Sequence, residues 1–378
     1  MQLKLDRAEE VIQNKLSKNI LFLESSKNIG GQELQLLQQM QELNSLGWKT
    51  KLLCKQHARI HDFAISKGLD VQALVFRNAL HIPSIIAVIK IIRSFKPNAL
   101  ICHSGHDAVI GAMAAKLLGL FQSRPRVIRM RTYQPGMPSS FTYNYLFDKT
   151  YTPSEHLREK VLKNKNIQPS KVGVLYPGID FAKLDEASGA LSQNLLDWLK
   201  DHSGPIISHG AMLRGEKGHA TILNALPQII QKFPDVRYVI AGEGSAKAEL
   251  QGLVAELGIQ ENVYFAGMVQ PISALLKIST LAVLPSLMEP LGMFQIESQY
   301  LEVPTIASEI DGIPETLIDK QTGLLVPPGD VNAWASQIIW ALNHLDDMKV
   351  LAKNGKIFVR EKFSMGKNTE RLIQIING

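Results

Sequence analysis

The sequence predicts a two-domain α/β protein in which helices cover a parallel β-sheet in each domain. Three observations support this prediction. The chain has 378 residues, a length that suggests two domains at roughly 150 residues per domain. Hydrophobic residues make up 45% of it and charged residues 20%, which is typical of a globular protein with substantial apolar cores. Short apolar segments also alternate with helical periodicity in both halves, as in proteins with parallel sheets.

The N-terminal half begins this alternation at residue 19. The apolar run 19–24 predicts a buried strand, the pair Gly30-Gly31 predicts a turn, and apolar residues at helical spacing over 34–43 predict a helix. Further strands are predicted at 48–54, 99–102 and 127–130, and further helices at 83–95 and 108–118. Predicted strands are therefore followed by predicted helices, as expected for a doubly wound sheet.

The pattern pauses near residues 176–178 and then restarts. A polar, helix-like stretch covers 180–203, and strands are predicted at 205–208, 237–241, 263–265, 281–284 and 305–307, with a helix at 219–231. We therefore expect an N-terminal domain at 1–180 and a C-terminal domain at 181–363, joined by a linker near 177–204. The tail over 364–378 is predicted to be a helix, which packs back on the N-terminal domain or stays with the C-terminal one.

Charge is distributed unevenly between the two halves. The net charge is +6, but residues 1–180 carry +12 and the remainder carries −6. A basic half suggests an anionic partner, which could be nucleic acid, an anionic membrane or a phosphorylated substrate. Unevenly placed solubilising charge is the alternative explanation.

The location of the protein is predicted from its cysteines and its apolar runs. Two cysteines, Cys54 and Cys102, exclude a disulfide framework and a four-cysteine zinc site. Charged residues occur throughout the first twenty positions, so we expect no signal peptide. Every run of about 20 residues is interrupted by charge, so no spanning helix is predicted. We expect a cytoplasmic protein.

Several well-known motifs are missing from the sequence. The phosphate-binding pattern G-x-x-x-x-G-K-[ST] does not occur, and Gly242-Glu243-Gly244 lacks the third glycine of a dinucleotide fingerprint. Neither a nucleophile elbow nor an H-E-x-x-H zinc motif occurs. No D-x-D is present to hold a metal-bound diphosphate, so we expect no metal site.

The most informative segment is 284–298, which follows an apolar strand. Glu289 precedes a turn, a helix is predicted to begin near Gly292 or Met293, and Glu297 lies just beyond its first turn. The free N–H groups at a helix start favour a phosphate or diphosphate, and carboxylates accept hydrogen bonds from sugar hydroxyls. Arg214 and Lys217 follow another strand and would supply the cation that a diphosphate beside Glu289 needs. Taken singly, the two glutamates also fit an exposed loop and a solvated helix face.

These residues lie within a longer pattern that resembles the retaining GT-B glycosyltransferases of family GT4. The C-terminal part of the resemblance is carried by Glu289 and Glu297 at their spacing, EVPTIAS at 302–308, GIPE at 312–315 and TGLLVPPGD at 322–330. GGQE at 30–33, PGID at 177–180, GEG at 242–244 and FAG at 265–267 extend it. The resemblance implies two Rossmann-like domains that face each other across a cleft, with retention of configuration at the transferred sugar.

The resemblance also implies roles for individual residues. Glu289 would bind hydroxyls of the donor sugar and Glu297 those of the nucleotide ribose. The backbone at Leu291, Gly292 and Met293 would hold the diphosphate, with Lys217 as its cationic partner. Other donor-side positions are Gly31 and Gly242 in glycine-rich loops, Met268 beside the base, and His103 near the transferred sugar. Glu289, His103 and Lys217 are the expected catalytic residues.

Two positions depart from the family pattern. Met212 stands where the family commonly has an arginine, and we expect Arg214 to replace it. No histidine follows the strand at 127–131, so His103 becomes the main histidine candidate for the position near the transferred sugar. A buried structural histidine is the alternative reading of His103, and His106 is the competing candidate.

The predicted activity is metal-independent transfer of a hexose-type sugar from a UDP- or GDP-sugar. The acceptor is expected to be a glycan or glycolipid in envelope polysaccharide or lipopolysaccharide-core synthesis. The basic half would contact an anionic membrane peripherally, at the inner face of the cytoplasmic membrane. Alternatively, Arg124, Arg126, Arg129 and Arg131 would bind an acidic acceptor. Two alternative functions are a nucleotide-sugar epimerase of the same fold and a nucleic-acid-binding protein. No known nucleic-acid motif accompanies the arginines, so no nucleic-acid partner is expected.

Overall fold

The computed structural model describes residues 18–27, 29–103, 105–132, 136–186 and 191–378. The chain divides into two compact units, of which the first comprises Met1–Ile179 with Met365–Gly378 and the second comprises Asp180–Ser364. Each unit is an α/β structure with its own parallel sheet, which confirms the predicted fold class. The signal-peptide prediction depends on the first twenty residues, and residues 1–17 lie outside the described part.

In the first unit, the described residues form a seven-stranded sheet with the order β3-β2-β1-β4-β5-β6-β7. Its strands are β1 (Asn19–Glu24), β2 (Lys49–Cys54), β3 (Val71–Ala73), β4 (Ala99–Cys102), β5 (Arg126–Met130), β6 (Lys149–Thr152) and β7 (Val172–Val174). All neighbouring strands pair in parallel. The central strands β1 and β4 are almost entirely buried, because helices cover both faces of such a sheet.

In the second unit, the described residues form a six-stranded parallel sheet with the order β10-β9-β8-β11-β12-β13. Its strands are β8 (Ile206–Gly210), β9 (Arg237–Ala241), β10 (Val263–Gly267), β11 (Leu281–Leu284), β12 (Thr305–Ser308) and β13 (Leu324–Val326). The two sheets therefore have the same kind of topology. In each, the first strand is central, the next two strands extend the sheet on one side of it, and the remaining strands extend it on the other side.

Helices connect the strands throughout both units. Within the described residues they are α1 (Gly31–Ser45), α2 (Arg59–Ser66), α3 (Ile82–Phe95), α4 (Gly105–Gly119), α5 (Glu155–Leu162), α6 (Phe181–Glu186), α7 (Gln193–Trp198), α8 (His219–Lys232), α9 (Lys247–Glu256), α10 (Ser273–Leu276), α11 (Phe294–Tyr300), α12 (Val331–Asn343), α13 (Leu345–Phe363) and α14 (Met365–Asn377). None of these helices combines the length and the apolar composition that crossing a bilayer requires.

Alternate residues of β1 show how the first unit builds two apolar layers. Ile20 and Phe22 pack with α1 and α14 on one face of the sheet, whereas Leu21 and Leu23 pack with α3 and α4 on the other. Successive side chains of a strand point to opposite faces, so one apolar run supplies both layers. Helix α14, although last in the chain, belongs to the first unit.

The winding order places one reversal point in each sheet. The strand order reverses between β1 and β4 in the first unit and between β8 and β11 in the second. In open α/β sheets, ligands bind at such reversal points, beyond the carboxyl ends of the strands. We call this side of each sheet its carboxyl edge and the opposite side its amino edge. The loops after β8 and β11 carry Lys217 and Glu289, and those after β1 and β4 carry Gly31 and His103.

Candidate functional site

The loops after β8 and β11 meet through an ion pair at the carboxyl edge of the second unit. Lys217 Nζ lies 2.6 Å from Glu289 Oε2, and both side chains are largely buried. The two residues are 72 positions apart in the chain. The reversal of strand order makes β8 and β11 neighbours and so brings their loops together. The two residues that the sequence placed in one site therefore contact each other directly.

Glu289 is held at its side chain and at both ends of its backbone. Ser286 Oγ donates a hydrogen bond to the Glu289 carboxylate at 3.3 Å. Glu289 N donates to Asp311 Oδ2 at 2.9 Å, and Gly312 N donates to the Glu289 carbonyl at 3.2 Å. These bonds tie the loop after β11 to the loop after β12, so the carboxylate has little freedom to move away from Lys217.

The Lys217 loop is also fixed to the β11 loop through its backbone. Leu287 N donates to the carbonyl of Glu216 at 2.8 Å. Gly218 follows with φ of +70°, and a Cβ at this position would overlap the carbonyl oxygen of Pro285. The turn therefore requires glycine for its left-handed backbone and for the close approach of the two chains.

Helix α11 begins later than the sequence predicted. Gly292 has φ of +88°, a left-handed conformation that cannot form part of a right-handed helix. Met293 is the N-cap and the helix starts at Phe294, so Glu297 lies in the first turn instead of beyond it. Within this segment Leu291 is buried, and Gln295 Nε2 donates to its carbonyl at 2.8 Å.

Glu297 occupies a partly enclosed position near the start of α11. Its surroundings are apolar enough that burial raises its pKa from 4.5 to about 7. Burial disfavours the ionised carboxylate because the charge loses its hydration. Glu297 therefore titrates near neutral pH and can both donate and accept hydrogen bonds there.

The loops after β8, β9 and β10 form one connected surface in the second unit. Gly242 N donates to the carbonyl of Gly267 at 2.8 Å, and Leu213 N donates to the carbonyl of Glu243 at 3.1 Å. A Cβ on Gly242 would overlap the carbonyl of Ala211. Met268, immediately after this junction, is 61% exposed, and its side chain is accessible to a ligand.

Arg214 lies on the Lys217 loop but points into solvent. Its side chain is about half exposed, and Arg214 Nη1 lies 3.9 Å from Glu216 Oε1. Met212, at the position where the family commonly has an arginine, is likewise exposed. This exposure leaves the Arg214 side chain able to turn toward an anion at this edge.

Two buried histidines lie beneath the Lys217 loop. His209 is the penultimate residue of β8 and His219 begins α8; their rings stack with centroids 4.1 Å apart. His209 Nδ1 lies 2.8 Å from the hydroxyl oxygen of Tyr238. Burial lowers the pKa of His219 to about 4, helped by the positive charge of Lys217, and burial also lowers the pKa of His209 well below its usual value. Both rings are therefore neutral near pH 7.

The first unit holds His103 and Gly31 at its own carboxyl edge. His103 N donates to Asp107 Oδ2 at 3.0 Å, and its Nδ1 lies 3.3 Å from the Leu23 carbonyl. Burial lowers the pKa of His103 to about 4, so the ring is neutral. Gly31 begins α1. His106, the competing candidate, is exposed on α4.

Several contributing residues were missed by the sequence analysis. Ser286 and Asp311 position Glu289, and His209 and His219 support the Lys217 loop. Asp311 immediately precedes the GIPE motif, which is a usable signal, but a serine two residues after a strand carries none. Across the described ranges, no three His, Cys, Asp or Glu side chains converge in a way that could hold a metal ion.

Family models match both halves of the chain. The Glycosyltransferase Family 4 model matches residues 29–183, and the Glycosyl transferases group 1 model matches residues 197–358. Among curated proteins, the D-inositol 3-phosphate glycosyltransferase of Mycobacterium sp. is 29% identical over 201 residues, which is 50% of this chain and 44% of that protein. The chain spans about half the length of the curated relatives it matches.

Solved structures share the fold over nearly the whole chain. A glycosyltransferase from Rickettsia africae superimposes with a TM-score of 0.82 at 19% identity, covering 95% of this chain and 97% of that one. Anabaena HepE in complex with UDP-glucose superimposes with a TM-score of 0.79 at 17% identity, covering 95% and 99%. Together the two family models match both halves of the chain and support a glycosyltransferase of the GT4 group, and the solved structures share its two-unit α/β fold.

Proposed function

We propose that this protein transfers a sugar from a UDP- or GDP-sugar to a glycan or glycolipid acceptor, with retention at the anomeric carbon. The observation that carries the proposal is the Lys217–Glu289 pair at the reversal point of the second sheet, followed within eight residues by Glu297. The match to the family models supports transferase chemistry, and HepE, which shares the fold, has been solved with UDP-glucose.

In this proposal, the second unit binds the donor through four contacts. Glu289 accepts hydrogen bonds from the sugar hydroxyls, and Glu297 binds the ribose hydroxyls. Backbone N–H groups at Leu291, Gly292 and Met293 hold the diphosphate. The base lies against the exposed Met268, beside the junction formed by Gly242. Carboxylates on both sides of the phosphates fit a ligand that is anionic only in its middle.

The Lys217–Glu289 pair explains how an acidic residue can lie beside a diphosphate. When the donor enters, Lys217 gains a phosphate oxygen as partner and Glu289 gains a sugar hydroxyl, so neither charge loses its compensation. As the bond from the anomeric carbon to the diphosphate oxygen breaks, the electron pair moves to that oxygen. Lys217 and Arg214 then stabilise the developing charge. The proposed reaction is metal-independent because these cations take the role that a metal has elsewhere.

His103 has a specific part in this proposal as a neutral hydrogen-bonding group. Its low pKa keeps the ring uncharged, and Nδ1 faces the Leu23 carbonyl, which favours a proton on Nδ1. Nε2 then carries a lone pair and accepts a hydrogen bond from a hydroxyl of the transferred sugar. Gly31 allows the loop after β1 to approach the phosphates closely. The acceptor hydroxyl would attack the anomeric carbon and pass its proton to the departing diphosphate oxygen, which holds the electron pair of the broken bond.

The donor assignment is tested by a thermal-shift screen of nucleotide sugars without added metal. A UDP- or GDP-sugar should raise the melting temperature, because a ligand that binds only the folded state stabilises it. Glu289→Gln should lower transfer and donor hydrolysis far more than nucleotide affinity. Stabilisation by no nucleotide sugar would overturn the proposal. Conversion of the sugar to its epimer without an acceptor would favour the epimerase.

The membrane part of the proposal is carried by an apolar surface at the carboxyl edge of the first unit. Val75, Leu80, Ile82 and Ile86 are exposed in and after the loop that follows β3. A cavity of about 460 Å³ beneath them is lined by residues that include Phe76, His81 and Lys55. Exposed apolar side chains on a half of the chain with a charge of +12 fit contact with an anionic membrane surface.

Flotation with phosphatidylglycerol-containing vesicles tests this contact. The protein should float with anionic vesicles at low salt, and Ile82→Ser should reduce the bound fraction. Leu120→Ser is the matched control, because Leu120 is equally exposed but follows α4 near the amino edge. No flotation at low salt, or equal loss in both variants, would remove the membrane contact from the proposal.

A further inference from the structure

The arginines around β5 divide into two pairs with different surroundings. Arg124 and Arg126 lie at the amino edge and have structural partners. Arg124 forms two hydrogen bonds of 2.7 Å with Asp148, and Arg126 Nη1 donates to the carbonyl of Ile376 at 3.4 Å. Fold contacts thus account for these two cations.

Arg129 lies at the other end of β5 and lacks such a partner. It pairs in register with Cys102, the last residue of β4, and is only 8% exposed. Its guanidinium lies 5.0 Å from the ring centroid of Phe147 and 5.7 Å from that of Tyr143. Among the described residues, Arg129 Nε has no hydrogen-bond acceptor and the guanidinium forms no ion pair.

Arg131 repeats this arrangement two residues later on the same face. Its backbone N donates to the Tyr151 carbonyl at 2.8 Å, and its side chain hydrogen-bonds to the hydroxyl of Tyr143. Arg131 Nε is also buried without an acceptor in the described part of the chain. Burial and the charge of Arg131 both lower the pKa of Arg129, so the two guanidinium groups repel each other at close range.

Asp107 is the carboxylate that attracts Arg129, and it already accepts hydrogen bonds from other groups. Asp107 accepts hydrogen bonds from Ser25 Oγ at 2.9 Å and from His103 N at 3.0 Å. Its charge raises the pKa of Arg129, but burial and the charge of Arg131 lower that pKa by more. A buried cation beside a half-buried one, with no carboxylate paired to either among the described residues, is costly, and a bound anion would reduce that cost.

We propose that Arg129 and Arg131 bind an anionic group, a phosphate or a carboxylate, on the acceptor. This inference rests on the proposed function and deepens it by naming the acceptor class. Guanidinium groups suit both anions because their planar donors match the oxygen geometry. Arg131, which is half-buried, contacts the anion, and Arg129 supplies the second charge from beneath.

The position of the pair supports an acceptor site. Arg131 is followed by Thr132, whose Oγ1 donates to Gln32 Oε1 at 2.7 Å, next to Gly31. Arg129 is adjacent in the sheet to β4, which ends just before His103. The anion would therefore lie at the carboxyl edge, beside the residues that the proposed function places near the transferred sugar.

The test compares three sugars that differ in charge. Binding of glucose 6-phosphate, glucuronate and glucose to the full chain is measured by calorimetry, with the nucleotide that stabilises the protein present to fill the donor site. At least one anionic sugar should bind more tightly than glucose. Arg131→Gln should weaken that binding by about tenfold or more, whereas Arg126→Gln, the matched control at the start of β5, should leave it unchanged. Preference for the phosphate or for the carboxylate identifies which anion the pair takes.

A second measurement separates ligand binding from a structural role. Arg129→Met removes the buried charge but keeps much of the side-chain volume, so its melting temperature without anion should equal or exceed that of the wild type. A large fall would show that Arg129 is structural and would overturn its assignment. Equal binding of all three sugars, or wild-type affinity in Arg131→Gln, would overturn the subsite. Nucleotide-sugar affinity should be unchanged in Arg131→Gln, so failure of the donor proposal would be seen separately.

Discussion

Glu297 shows how one buried carboxyl group sets the pH range of a site. Burial raises its pKa to about 7, so the folded state binds a proton more tightly than the unfolded chain. This group therefore stabilises the fold less as pH rises from 4.5 to 7. The same titration increases the ionised fraction, which is the form that accepts hydrogen bonds from ribose hydroxyls.

We predict that affinity for the donor nucleotide sugar rises about tenfold between pH 6 and 8, because the ionised fraction of a group with pKa about 7 increases by that factor. Calorimetric titration with an intact nucleotide sugar measures this, since its diphosphate does not titrate in that range. Glu297→Gln should bind more weakly and show a flat profile. An unchanged pH dependence in the variant would assign the titration to another group.

The stacked histidines affect stability in the opposite direction. The pKa of His219 is lowered from 6.5 to about 4, so the unfolded chain binds its proton more tightly than the folded state. Stability is full above about pH 6.5 and is lost as pH falls toward 4. This loss is on the order of 3 kcal/mol for His219, at 1.36 kcal/mol for each pKa unit.

We predict that His219→Phe reduces the loss of stability between pH 6.5 and 4.5, because phenylalanine keeps the stack on His209 and does not titrate. Denaturant unfolding at several pH values measures the effect. His106→Gln, which alters an exposed histidine, should keep the wild-type slope. Wild-type acid sensitivity in His219→Phe would show that His219 does not control it.

At the scale of elements, the Lys217 loop depends on a close contact between two chain segments. Gly218 has a left-handed backbone and no room for a Cβ beside Pro285. We predict that Gly218→Ala costs about 2–4 kcal/mol of unfolding free energy and weakens nucleotide-sugar binding, because Lys217 moves away from Glu289. Chemical unfolding and donor titration measure the two effects.

Gly252 provides the matched control for this prediction. It lies in α9, and nothing is within 4 Å of the position that its Cβ would occupy. Gly252→Ala should therefore stabilise the protein by up to about 1 kcal/mol. Equal effects of the two substitutions would mean that the contact with Pro285 does not hold the loop.

The sequence predicted the central elements of the sheets well and their margins poorly. β4, β9 and β11 occur at the predicted residues, because buried central strands appear as continuous apolar runs. β3, β6, β7 and β13 were missed; each has only three or four residues, and polar residues or glycine interrupt most of them. The start of α11 was placed too early, since the left-handed backbone of Gly292 cannot be inferred from its identity alone.

Predictability of the candidate site follows the same division. Glu289, Glu297 and Lys217 were predicted as site residues because they occur in a pattern of residue types and spacings. Ser286, Asp311 and the pair His209–His219 were not, since their roles depend on neighbours distant in the chain. The basic cluster at 124–131 was recognised as charge, but only the structure shows that Arg124 pairs with a carboxylate and Arg126 with a backbone carbonyl, whereas Arg129 lies against aromatic rings.

At the scale of the whole molecule, the last helix returns to the first unit. Met365 N donates to the carbonyl of Ile179, and Gln39 Nε2 donates to Asn368 Oδ1 at 2.9 Å. Leu372 is fully buried in the core beside α1. The first unit is therefore assembled from both ends of the described chain, and its core requires residues that follow the second unit.

We predict that Leu372→Ala destabilises the first unit by about 2–5 kcal/mol, the usual cost of removing a buried leucine side chain. Hydrogen exchange should accelerate in α1 and β1 while β8 and β11 keep their protection. Arg371→Ala, at the exposed neighbouring position, should leave exchange unchanged. Loss of protection confined to the second unit would contradict this assignment of α14.

The central claim is that Glu289 and Glu297, with Lys217, form the binding site for an activated sugar. Its most direct test is calorimetric titration of nucleotide sugars into the wild type, Glu297→Gln and Glu261→Gln, with chelator present. Glu261→Gln is the control, because it alters an exposed glutamate at the amino edge of β10. We predict that one UDP- or GDP-sugar binds the wild type and Glu261→Gln equally and Glu297→Gln at least about tenfold more weakly. Equal affinity in all three proteins, or no binding of any nucleotide sugar, would contradict the claim.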